Sequence, residues 1–157
     1  MSTMDFNSAS FDELDQHAVE QLVFETGGEL SPILKGHLFI ERVLETLISQ
    51  NIPKPAVLFG KRRLSFELKV DLARALGLLS EKYVSAFKAL NTIRNNYAHQ
   101  ASYKVTFEEL TGLKFHWEPI QQEAYTVACT KGVEEAARIA TLFLCWKTIH
   151  LIKKPIA

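Results

Sequence analysis

Residues 133–153 leave this chain few ways to fold. Read as one helix, the stretch is apolar on nearly all sides around the run IATLFLCW. A helix with a single apolar stripe is satisfied by one neighbour, but this one needs cover all round. It must lie at the centre of a helical bundle or be closed over by a partner subunit. A bilayer is excluded as the cover. The apolar run 139–146 is broken by Thr141 and closed by Lys147, whereas a span needs about 20 apolar residues.

The rest of the chain carries helix punctuation. Ser10 with Glu13 forms a capping box that opens a first helix over about 11–26, with Gly27 and Gly28 as its stop. Ser31 and Pro32 read as the N-cap and first-turn pair of a second helix running to about Gln50. Its apolar residues Ile33, Ile40, Leu44, Leu47 and Ile48 recur at helical spacing. Pro53 and Pro55 break that pattern and begin a loop ending in Lys61, Arg62 and Arg63. A third helix follows over about 65–79, with Leu68, Leu72, Ala75, Leu76 and Leu79 as its core face. Ser80 caps a fourth helix, whose face is Tyr83, Phe87, Leu90, Ile93 and Tyr97. Thr106 with Glu109 predicts a short capped turn closed by Gly112, and Pro119 opens a helical piece interrupted near 130–132. With no internal repeat or linker, the reading is one all-α domain over 1–157: an up-and-down helical bundle with a long additional C-terminal helix.

Composition narrows the function classes. Lys plus Arg equals Asp plus Glu at 18 each, so a nucleic-acid partner would have to meet a local patch rather than a broad basic surface. Two cysteines, Cys129 and Cys145, are too few for a disulfide framework and form no Cys-x-x-Cys. They read as buried thiols in a reducing compartment. The opening MSTMDFNSASFDEL lacks the basic head and apolar run of a secretory signal. The expected location is the cytoplasm.

The segment ALNTIRNNYAHQ, residues 89–100, carries the chemistry. Arg94 falls within about 60° of the centre of the fourth helix's apolar face. There it either snorkels outward, pairs with a carboxylate of a neighbouring helix, or meets an anion. His99 lies five residues on, about 140° round an ideal helix. One straight helix does not aim both side chains at a single point. Either the helix distorts after Tyr97, or the cooperating Arg and His come from two copies of the chain. Asn95 and Asn96 between them are weak helix formers suited to bonding a ligand or the backbone. His99 taken alone also reads as a solvated residue or a C-cap.

Arg94, then Asn95, three further residues and His99, at the end of a helix in an all-α setting, resemble the Arg-x4-6-His motif of the HEPN superfamily. GHLFIERVLETLI (36–48) resembles that superfamily's early helix. LSFELKVDLARALGLL (64–79) followed by LNTIRNNYAH (90–99) resembles its bacterial branch near the mannitol-operon-repressor and DUF4145-type families. The resemblance covers roughly residues 30–100. It implies a metal-independent, cofactor-free endoribonuclease that works as a homodimer, with the two motif helices facing one another and RNA cut through a 2′,3′-cyclic phosphate. Arg94 and His99 would then be the catalytic pair and Asn95 their orienting neighbour. Asn96 and Lys69 would be substrate-binding, Lys69 at a position where similar sequences place a basic residue near the site. A toxin or phage-defence role with an antitoxin or defence partner is implied too. The mannitol-repressor relatives imply the alternative, a non-catalytic regulatory or protein-interaction module. The chain departs from antitoxin-modified members at Ala101, where those carry a Tyr; the nearest here is Tyr103.

Other residues read less specifically. His37 and Glu41, four apart, form a surface pair on the second helix, with no third ligand spaced for a metal. Phe115, Trp117 and Tyr125 either stack bases or pack against the bundle.

Overall fold

A computed structural model describes residues 4–20, 30–61 and 63–153 of the chain. Among these residues there are eight α-helices and no strand. They are α1 (Phe11–Val19), α2 (Leu30–Ser49), α3 (Pro55–Phe59), α4 (Phe66–Ala75), α5 (Glu81–His99), α6 (Phe107–Leu110), α7 (Pro119–Lys131) and α8 (Val133–Ile152), with a 3-10 turn at Thr111–Leu113. The chain is an all-α bundle.

α8 is the hub. Every residue from Ala140 to Cys145 is buried. Six consecutive residues sweep well beyond one full circle of a helix, so the element is enclosed rather than one-sided. α1, α2, α6 and α7 pack around it. Its two buried hydroxyls are satisfied by its own backbone, Thr141 donating to the Ala137 carbonyl at 2.7 Å and Thr148 to that of Cys145 at 2.7 Å. The approach of α2 is close enough to require glycine. A Cβ on Gly36 would lie 2.1 Å from the Thr141 methyl, far inside van der Waals contact. Cys145, also against Gly36, is fully buried, which pushes its thiol pKa up. Cys129 is half-buried, and both cysteines are free.

The expected stripe of α2 is confirmed: Ile33, Ile40, Leu44, Leu47 and Ile48 are all buried. Its start differs. Leu30 and Ser31 already belong to the helix, so Ser31 is not its N-cap. Gly27 and Gly28, with the expected C-terminal part of the first helix, lie outside the described residues. The Ser10–Glu13 and Thr106–Glu109 capping boxes both form. Pro55 does not sit in a loop: it opens the short α3, where its missing N–H costs nothing.

α4 is shorter and differently turned than expected. It stops because Gly77 takes the left-handed backbone (φ +75°). The Leu78 N–H then reaches the Ala73 carbonyl at 2.9 Å and Gly77 reaches Arg74 at 3.0 Å, a Schellman closure. Its buried side is Phe66, Lys69, Val70 and Ala73. Leu68 and Leu76, expected in the core, are 49% and 41% exposed. The face is set by where Lys69 finds partners.

Candidate active site

Three helices frame the site: α2, α4 and α5 pack against one another pairwise. α5 is held along Val84, Phe87, Leu90 and Ile93, all buried. It runs unbroken through His99, and the Gln100 N–H still bonds the Asn96 carbonyl at 2.9 Å. The helix therefore does not distort after Tyr97. Arg94 and His99 lie on one regular helix, about 140° apart.

Arg94 is half-buried, and its Nη1 donates to Oδ1 of the neighbouring Asn95 at 3.2 Å. His99 is exposed in the last turn. Asn96 is half-buried and turned to a second task, bonding Tyr103. Tyr103 belongs to the segment after α5, which folds back over the helix end. The Val105 N–H donates to the Tyr97 hydroxyl at 2.9 Å, the Tyr97 and Tyr103 rings meet edge-on at 4.8 Å, and the Tyr103 hydroxyl donates to Glu109. Burial, reinforced by that bond to a carboxylate, pushes the Tyr103 phenol up to about 12.

Lys69 does not face solvent. It is 5% exposed, with Nζ 3.0 Å from Glu41 and 2.8 Å from Glu45, two carboxylates one turn apart on α2. Burial without such pairing would be costly for an ammonium group. The pairing locks α4 onto α2.

Two residues were missed by sequence reasoning. His37 is not the surface partner of Glu41. It is 5% exposed, its Nε2 lies 2.9 Å from Asn91 Oδ1, and its ring stacks on Phe66 at 4.1 Å and 28°. Asn91 stands one turn before Arg94 on the same side of α5. An asparagine between core residues Leu90 and Ile93 was the available signal, because a polar amide beside a core stripe needs a partner. Burial lowers the His37 pKa. The Arg94 and Lys69 charges push the same way, against the Asn91 bond and the Glu41 carboxylate. Arg94, Lys69 and His37 thus share one electrostatic neighbourhood.

The aromatics elsewhere pack. Phe115 and Tyr125 are buried, Tyr83 lies 4.3 Å from Phe115, and Trp117 contacts Tyr125 and Phe143. Lys61 and Arg63 are exposed, and Arg62 lies outside the described residues. Among the described residues no three His, Cys, Asp or Glu side chains gather as a metal site, and no helix is long and apolar enough to cross a membrane. Comparisons with protein-family models, curated proteins and solved structures find no match to this chain.

Proposed function

We propose that the chain is a metal-independent endoribonuclease of HEPN type, cytoplasmic and active as a homodimer, serving as a toxin or defence effector with a partner that restrains or triggers it. One observation carries this reading: α5 stays helical through His99, with Arg94 steadied by Asn95 on a different side of the helix. A single chain then offers the arginine and the histidine in different directions, while two copies related by a two-fold axis bring each to the other's counterpart. In that cleft a His99 imidazole takes the ribose 2′-hydroxyl proton as the 2′-oxygen attacks phosphorus. Arg94 donates to the phosphate oxygens as charge builds. The 5′-oxygen leaves with the proton that the imidazole took up, giving a 2′,3′-cyclic phosphate and a free 5′-hydroxyl. Two arginines near the axis would supply local positive charge in a chain of zero net charge.

The test is RNA cleavage in EDTA by wild type, Arg94→Ala and His99→Ala. Each variant is expected to lose on the order of 10²-fold or more, and mixing the two inactive proteins is expected to restore part of the rate. Undiminished cutting by His99→Ala, or a requirement for Mg²⁺, overturns the mechanism. A second reading, a non-catalytic regulatory module, is favoured by Lys69, whose charge is already taken up by Glu41 and Glu45. It predicts partner or RNA binding without cleavage.

A further inference from the structure

We propose that His37 is a positioning residue for Arg94: by bonding Asn91 of α5 from α2 while stacking on Phe66 of α4, its neutral ring fixes the side of α5 that carries the arginine. The proposal rests on the reading of Arg94 as the phosphate-binding group.

The geometry is specific. His37 touches all three helices that frame the site, through its own place on α2, the 2.9 Å contact to Asn91 and the 4.1 Å stack on Phe66. Asn91 and Arg94 are one turn apart, so restraining the first restrains the rotation of α5 that aims the second. With its proton on Nε2, a neutral imidazole donates to the Asn91 side-chain oxygen. The charged groups acting on the ring are Glu41 of its own helix, Lys69 of α4 and Arg94 of α5. Against the adjacent Gly36, α8 places the uncharged side chain of Thr141 and the Cys145 thiol, whose pKa burial pushes up. Of these groups two are cations, and Lys69 is already neutralised by Glu41 and Glu45. Arg94 is therefore the cation left to respond. A protonated His37 would be a buried charge facing it, and the half-buried guanidinium, which donates to the Asn95 amide oxygen at 3.2 Å, is the group that swings away. The arrangement makes the aim of Arg94 depend on the charge of a ring it does not touch.

The experiment follows the Arg94 Nε–H resonance and the His37 ring by NMR from pH 8 downward in the full-length protein, with Arg94→Lys identifying the arginine signal. In wild type the arginine signal is expected to move with the same midpoint as His37, below the ordinary histidine value of 6.5. In His37→Phe, which keeps a flat ring on Phe66 but has nothing to protonate, that movement is expected to vanish. Asn91→Ala removes the bond that favours the charged ring, so the His37 midpoint is expected to fall further. If His37→Phe fails to fold, the wild-type and Asn91→Ala titrations decide. An arginine signal that ignores the His37 titration, or that moves equally in His37→Phe, overturns the proposal. Cleavage is a separate arm. Wild type that cuts no RNA removes the ribonuclease reading and leaves the coupling standing. If wild type cuts, His37→Phe is expected to be slower by about tenfold or more, the scale of a misaimed group. Unchanged cutting would show that the coupling does not serve Arg94 chemistry.

Discussion

Where α4 and α5 meet α2, the ties between helices run through polar atoms: His37 to Asn91, and Lys69 to Glu41 and Glu45. Where α7 meets α8 they run through rings. Trp117 contacts Tyr125 at 4.9 Å and Phe143 at 5.4 Å, and Phe143 contacts Trp146 at 5.4 Å. The indole N–H groups of Trp117 and Trp146 are buried there with no protein hydrogen-bond partner among the described residues. Hydrophobic burial is non-directional and does not fix a rotation or a charge. Polar ties do both, at the expense of sensitivity to pH and salt. The α5 motif rests on the polar corner, while the aromatic end supplies stability.

The largest expected effect tests the aromatic end. Phe143, 5% exposed, sits between Trp117 and Trp146. Phe143→Ala is expected to cost about 3–5 kcal/mol in denaturant unfolding, with little change between pH 5 and 8 or with added salt. A loss that varied strongly with either would break the contrast between the two regions.

A smaller effect is expected at the polar corner. Lys69→Ala leaves Glu41 and Glu45 facing each other without their cation. The carboxylates are 24% and 39% exposed, so water screens part of the cost and the expected loss is about 2 kcal/mol. Repulsion between them is screened further by about 1 M salt, so the loss should shrink there, unlike that at Phe143. A salt-independent deficit would mean that Lys69 acts through its buried methylenes instead.

The same contrast explains what the sequence makes legible. Apolar periodicity identifies α2 and α5, whose burial repeats with the helix, and α8 is identified by apolar residues on nearly all its sides. Periodicity misplaces the face of α4, where Lys69 points inward and Leu68 outward. A lysine in the core is stable only because two glutamates stand one turn apart on another helix, and spacing within α4 carries no trace of them. Gly77 was visible as a residue, but its left-handed closure competes with a leucine run that reads as continuing helix. Arg94, Asn95 and His99 were legible as a motif. His37 and Asn91 were not, because their meaning is a contact across 54 positions of sequence.

The smallest effect tests whether polar ties extend to the end of α5. Tyr103→Phe keeps the edge-on ring contact with Tyr97 and removes only the hydroxyl that meets Glu109 and Asn96. Its expected cost at pH 7 is about 1 kcal/mol, the net worth of one hydrogen bond. The pH dependence carries the sharper test. Burial and the Glu109 bond raise the folded phenol from 10.0 to about 12. The folded chain thus keeps a proton that the unfolded chain gives up, and this contribution is whole below pH 10 and lost as pH climbs toward 12. In Tyr103→Phe that part of the alkaline loss is expected to disappear. What remains belongs to groups such as Cys145, Tyr83 and Tyr125, all also raised by burial. Equal alkaline curves for wild type and variant would show that the Tyr103 hydroxyl is not tied down. The segment after His99 would then rest on ring packing alone, and the end of α5 would belong with the aromatic region.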